Sequence, residues 1–340
     1  MNEYRSLLRA LIARRDLEPP EMVYAIGAMM DGAWTPAQSA GFLTALACKG
    51  ETAAEAVGAA QAMRARAVHV EHCLELVVDT CGTGGDGAQT INVSTIAGFV
   101  LAGCGLHVAK HGNRAASSAC GSADVLEAAG VPIDASPKSA CKHLEDDRFA
   151  FLFAQQYHPA AKEIAPTRRE LGVRTIFNVL GPLCNPARAT HQVIGVASRP
   201  HLQLVGEALA SLGAAAGAVV HAENGIDEVT GDVPTHVYQF GPRGVRRWVI
   251  EPSLLGVHAP PGAIAGGSPA QNALALGSIL AGERSPRADV IALNAALLLV
   301  VAERAGDLRE GLELARASLR GGAARDVFDR LRRRTEREFA

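Results

Sequence analysis

Gly82-Thr83-Gly84-Gly85-Asp86-Gly87 stands between a β-rich run, Leu74 to Cys81, and an apolar segment that begins near Val93. Glycines let a backbone approach a ligand closely, and N–H groups at a helix start attract phosphate oxygens. The string fits the G-x-G-x-x-G pattern of dinucleotide sites, but those sites carry an acid about 20 residues on, at the end of the second strand. This chain has Lys110-His111 there, and a cation suits a phosphate better than a ribose diol. A P-loop is excluded as well, because Ala88-Gln89 stands where Lys-Ser/Thr is required. Asp86 narrows the ligand: a carboxylate inside the loop repels a bare phosphate, so a sugar hydroxyl or a cation must lie between them.

A second loop, Lys110-His111-Gly112-Asn113-Arg114-Ala115-Ala116-Ser117-Ser118, gathers donors after the next predicted strand, Leu106 to Lys110. Ligands of open α/β sheets bind outside the carboxyl ends of strands, so both loops are expected to face one crevice. The plainer readings are a solvated polar turn here, and simple helix capping by Asn92 and Ser94. Asp227-Glu228, after the run Ala218 to Ala222, offers the hard oxygens that Mg²⁺ takes, against the alternative of a solvated acidic turn. Arg168, Arg169 and Arg174 stand together in one arginine-rich stretch, rival forks with nothing in their types alone to choose between them.

The elements that must hold these residues follow from composition and pattern. With 340 residues the chain has room for two domains and a large core. The 33 basic and 35 acidic residues leave a formal net charge of −2, so no overall field draws nucleic acid or an anionic membrane. Aromatic residues make up only 4 %, which argues against base-stacking platforms. The N-terminus lacks an apolar h-region, and the most apolar stretches, 96–109 and 291–302, fall short of the ~20 residues a membrane span needs. A cytoplasmic protein with no membrane partner is expected. Seven cysteines without C-x-x-C read as reduced core residues, with a reactive Cys81 or Cys120 as the alternative.

Residues 1–70 predict a small helical domain, with Thr35-Pro36 as a cap and Thr52…Glu55 as a capping box. Residues 71–340 show a βαβα rhythm with a further strand at Gln192 to Ala197, which implies a mainly parallel sheet. An arginine-rich helical insert, about 159–180, is expected to pack on the small domain. The patches Ala259 to Pro269 and Gly181 to Pro186 read as loops.

Taken together, Gly82 to Asp86, Asn92-Val93-Ser94-Thr95, Lys110 to Arg114 and Gly121-Ser122-Ala123-Asp124 resemble the anthranilate phosphoribosyltransferases. The likeness runs on through His158-Pro159, Arg168 to Gly172, Arg174 to Asn178, Leu180 to Pro186, Asp227-Glu228 and Asn294-Ala295, with Cys184 standing where the family pattern has Thr. The resemblance implies a nucleoside phosphorylase/phosphoribosyltransferase-like α/β fold, a homodimer, and transfer of a phosphoribosyl group from phosphoribosyl diphosphate to anthranilate. It further implies that the donor lies on Gly82, Gly84, Gly85, Asp86, Thr90, Asn92, Val93, Ser94, Thr95, residues 110–118 (Lys110, His111, Gly112, Asn113, Arg114, Ala115, Ala116, Ser117, Ser118) and Ser122. Gly82, Asn113 and Arg168 are implied for anthranilate, and Ser94, Asp227 and Glu228 for two Mg²⁺ ions. No general base is assigned. A phosphorylase of the same fold and a nucleic-acid-binding relative using the basic cluster Arg330, Arg332, Arg333, Arg334 and Arg337 are the competing functions.

Overall fold

The computed structural model describes residues 2–115 and 118–338. Helices α1 (Asn2–Ile12), α2 (Pro19–Met30), α3 (Pro36–Lys49) and α4 (Ala53–Arg64) come first. Their starts obey local chemistry: Gln38 N donates to Thr35 Oγ1 at 3.3 Å, and Thr52 and Glu55 exchange bonds of 2.8 and 3.2 Å. Glu55 is fully buried, which is tolerable because Leu17 N and Lys49 Nζ also donate to it, at 2.9 and 3.0 Å.

Then follow β1 (Val77–Gly82), α5 (Val93–Gly103), β2 (His107–Gly112), α6 (Ser122–Ala128), α7 (Pro137–Asp147), β3 (Phe149–Phe153), α8 (Ala154–Tyr157), α9 (Ala165–Leu171) and α10 (Phe177–Leu183). The second half holds β4 (His191–Gly195), α11 (His201–Ser211), β5 (Ala216–Ala222), β6 (Thr235–Phe240), β7 (Arg246–Ile250), α12 (Pro269–Leu280), α13 (Pro286–Val301), α14 (Leu308–Arg320) and α15 (Ala323–Glu338). The strands form one sheet in the order β3-β2-β1-β4-β5-β6-β7, parallel through β5 and antiparallel at β6 and β7.

Alternation along the strands gives each face its own core. On β5, Ala218 and Val220 face the side covered by α5 and α12–α15, whereas Val219 faces the helical domain. That domain shares its core with α10, α11 and the sheet, since Ile26, Leu46 and Phe42 cluster with Leu180, Leu209 and Ile194. The insert packs as a bridge, α9 on α3 and α10 on α4.

Several boundaries differ from the sequence expectation. β1 starts at Val77, not Leu74, and β2 continues past the expected end at Lys110 to Gly112, so His111 is a strand residue instead of a loop residue. Lys110 is thereby almost fully buried. Gly181 to Pro186 is not wholly a loop: α10 runs to Leu183 with Pro182 in its last turn, where a missing N–H costs a single helical bond. Among the described residues no helix is long and apolar enough to cross a membrane.

Candidate active site

Helix connections leave β1 toward β2 and leave β4 toward β5, so the sheet's topological switch lies between β1 and β4, where a crevice opens. Gly82 ends β1 there, opposite Gly195 of β4, and Thr83 N donates to Gly195 O at 2.9 Å. In the loop beyond, Gly84, Gly85 and Gly87 have φ of +65°, +73° and +73°, a region that only glycine enters without strain. Asp86 Oδ1 accepts from Ala88 N at 3.1 Å, closing the turn. Arg174 Nη1 donates to the carbonyls of Gly84 and Gly85, each at 2.9 Å, and holds the loop from outside.

The crevice encloses about 350 Å³. Larger cavities, about 490 and 540 Å³, lie beside Pro286 and Gly241, but neither meets the carboxyl end of a parallel strand. Every site residue implied by the resemblance lines the crevice except three. Ala116 and Ser117 lie outside the described residues. Arg168, on α9, stands apart from the lining, its guanidinium 5.0 Å from the Phe177 ring centre, and burial lowers its pKa. Arg114 lines the crevice while its guanidinium is committed to Asp124 and Glu127, at 3.0 and 2.8 Å.

The acidic pair converges on the anion-binding N–H groups. Gly84 N donates to Asp227 Oδ2 at 2.7 Å, and Ser94 N, in the first turn of α5, donates to Glu228 Oε1 at 3.1 Å. Asn92 makes no cap bond at that helix start. Two carboxylates thus sit where phosphate oxygens would accept, and their charge is poorly compensated. Burial, then Asp86, raises Asp227; burial, then Asp227, raises Glu228 to about 8, with Lys110 opposing. Among the described residues no three His, Cys, Asp or Glu side chains form a metal-binding group by themselves. Two hard carboxylates with excess buried charge, beside the Ser94 hydroxyl, nevertheless fit Mg²⁺ when the ligand completes its shell.

Sequence reasoning missed several supporting residues. Asp79 on β1 is fully buried; Asn185 Nδ2 donates to it at 2.8 Å and His111 N at 3.4 Å, which ties the end of β2 to the segment after α10. The signal was present: an acid inside an apolar strand requires partners. His158 packs against His111 with ring centres 5.0 Å apart, and burial pushes its pKa down to about 4. His111 is lowered by burial and then by His158, and it meets Gly181 O through Nδ1 at 3.1 Å. Asn178, on α10, also lines the crevice. Both candidate reactive thiols are pushed up by burial, Cys120 to about 11, so neither is primed as a nucleophile.

Sequence comparison matches residues 74–325 to a glycosyl transferase family α/β domain and residues 5–67 to the family's helical bundle domain. The chain is 47 % identical over 332 residues to an anthranilate phosphoribosyltransferase of Thermomicrobium roseum, covering 96 % of this chain and 95 % of that protein. The chain belongs to the anthranilate phosphoribosyltransferase family. The enzyme of that family from Thermus thermophilus superposes with a TM-score of 0.91 at 41 % identity, covering 96 % of this chain and 98 % of that one. An anthranilate phosphoribosyltransferase from Saccharomyces cerevisiae, solved in complex with PRPP and Mg, gives a TM-score of 0.88 at 27 % identity, with 96 % of each chain covered. Two members of the basic cluster on α15 are engaged in packing: Arg330 pairs with Asp147 at 3.5 Å and Arg334 with Asp146 at 2.9 Å, fastening α15 to α7, while the Arg337 side chain lies outside the described residues.

Proposed function

We propose that the crevice carries out the reaction of its family, transfer of the phosphoribosyl group of phosphoribosyl diphosphate to the amine of anthranilate with release of diphosphate. The observation that supports this best is the acidic pair seated on the N–H groups of the glycine loop and of α5. A carboxylate pair there selects a ligand that brings its own cation, as a metal-bound diphosphate does.

In this reading the amine lone pair of anthranilate attacks the anomeric carbon as the bond to diphosphate breaks. The leaving oxygens carry away the electron pair, and the amine's proton passes to solvent. The ribose gains oxocarbenium character while negative charge grows on the diphosphate, so stabilising the leaving group dominates the rate. Lys110 and the loop from Gly82 to Asp86 are suited to that task, with Thr90, Asn92, Thr95, Ser118 and Ser122 as the donor's polar contacts. Asp227, Glu228 and Ser94 would hold Mg²⁺, in our reading two ions, and the metal would neutralise the diphosphate. Arg168 is assigned the anthranilate carboxylate and Asn113 its neighbouring amide. His111 and His158, kept neutral by burial, suit the walls of an aromatic acceptor's pocket better than the role of a proton carrier. Exposed Ile12 and Tyr24 on the small domain support our reading of a homodimer through that domain; a cytoplasmic location is part of the same reading.

Mixing the protein with Mg²⁺, phosphoribosyl diphosphate and anthranilate should abolish anthranilate fluorescence with diphosphate appearing in equal amount. Persistent fluorescence from folded protein would reject the assignment.

A further inference from the structure

Asn272 lies on α12, outside the crevice lining, yet it is 2 % exposed and its amide is used at both ends. Gly267 N donates to Asn272 Oδ1 at 2.8 Å, and Asn272 Nδ2 donates to Asn92 Oδ1 at 3.0 Å. A backbone N–H can only donate, so it fixes the Asn272 oxygen toward Gly267 and the amino group toward Asn92. Asn92 must then meet Asn272 with its oxygen. The far end agrees: Asn92 Nδ2 donates to Cys120 O at 3.1 Å, an acceptor that tolerates only the amino group. The Cys120 thiol lies 3.5 Å from Asn92 Oδ1 and 3.6 Å from Gly121 O, so its one hydrogen is shared between two acceptors. With Nδ2 bonded once and Oδ1 turned toward Asn272, Asn92 retains one N–H for a ligand.

We infer that Asn272 is a positioning residue for donor binding, holding the Asn92 amide, together with the Cys120 carbonyl, so that it offers a hydrogen-bond donor to the phosphoribosyl diphosphate. The surrounding backbone is built to the same end. The segment before α12 pairs with the exit of the glycine loop: Ile91 N donates to Ile264 O at 2.8 Å and Gly266 N to Gln89 O at 2.7 Å. A Cβ at Gly266 would collide with the Thr90 carbonyl, so this approach requires glycine. Asn272 thus adds the rigidity of α12 to the orientation that the Cys120 carbonyl already favours for the Asn92 amide.

The inference rests on the donor-site reading above, and the test separates the two. Donor and anthranilate KM values would be measured for wild type, Asn272→Ala, Asn92→Ala and the double variant, with melting temperatures recorded for each. Asn272→Ala is expected to raise the donor KM about tenfold, the cost of misdirecting one hydrogen bond, and to leave the anthranilate KM within about twofold. In the Asn92→Ala background the same change should alter the donor KM by less than about twofold, because its effect passes through that amide. Asn272→Asp keeps the acceptor for Gly267 but faces Asn92 with an oxygen, and should weaken the donor more than Asn272→Ala does. Additive effects in the double variant, or equal rises in both KM values, would overturn the positioning role. If no variant at Asn92 or Asn272 changes the donor KM while the wild type turns over, Asn92 does not touch the donor. If the wild type binds no donor, it is the donor-site reading that fails.

Discussion

The two halves of the crevice are built differently. The half proposed for the donor is assembled from the ends of β1 and β2 and the segment after β5, and it is braced by long-range bonds: Arg174 holds two loop carbonyls, Asp227 one loop N–H, and Asn272 the Asn92 amide. The acceptor half draws on the inserted segment between β3 and β4, and its proposed cation, Arg168, rests on Phe177 away from the lining. The donor half is thus pre-formed around charge, while the acceptor half depends on how the insert meets the sheet. Diphosphate needs many aligned N–H groups and a metal, whereas a flat carboxylic acid needs one fork and apolar walls.

Removing the charge of the acidic pair should separate the halves most sharply. Asp227→Asn with Glu228→Gln keeps oxygens able to accept from Gly84 and Ser94 but removes the hard ligands. Steady-state assays should show kcat reduced by about 10²-fold or more, with the Mg²⁺ midpoint shifted upward. Folding should not suffer, because both carboxyls are raised by burial and are more costly ionised than neutral. The ligand-free melting temperature at pH 8 should match or exceed wild type. An unchanged rate and midpoint would reduce the pair to an acidic turn.

The two arginines sharpen the comparison. Arg168→Ala should raise the anthranilate KM by ~10 to 150-fold, the worth of a charged hydrogen bond of ~1.5–3 kcal/mol, with the donor KM nearly unchanged. Arg174→Ala should do the reverse on a smaller scale, raising the donor KM by roughly 3 to 10-fold as the Gly84 and Gly85 carbonyls lose their tether. Exchanged phenotypes would reverse the assignment.

A milder effect concerns the acid side of stability. His158 is neutral in the fold because burial takes its pKa from 6.5 to about 4. Its contribution is complete above pH 6.5 and declines as pH falls from there toward 4, since the unfolded chain binds the proton first. The loss amounts to at most about 3 kcal/mol. Urea titrations between pH 7 and pH 4.5 should therefore be less pH-dependent in His158→Asn than in wild type. Equal slopes would show that His158 titrates normally.

The same contrast explains what was legible in the sequence. Donor residues fall in short runs directly after strands, so glycine spacing and the crevice rule brought Gly82 to Asp86, Lys110 and Asp227-Glu228 to one edge. Braces such as Arg174, Asn185 and Asn272 act across more than 75 residues of sequence, and a lone polar residue in a helix or turn carries no local mark of its partner. Strand ends erred for a related reason: His111 looks like a loop residue until its bond to the buried Asp79 is known. The strands β6 and β7 were not anticipated, because they add an antiparallel hairpin to one side of the sheet after the parallel rhythm ends. Choosing Arg168 over Arg174 came from family resemblance, and the arginine that lies against the glycine loop is the other one.

The central claim is that the carboxylates of Asp227 and Glu228 occupy the donor's anion sites until a metal accompanies the donor. Calorimetric titration of phosphoribosyl diphosphate into the wild type, with Mg²⁺ and then with EDTA, tests it directly. The account predicts clear binding with Mg²⁺ and affinity at least about 100-fold weaker without it, together with partial recovery of metal-free binding in Asp227→Asn/Glu228→Gln. Equal affinity of the wild type in Mg²⁺ and in EDTA would contradict it.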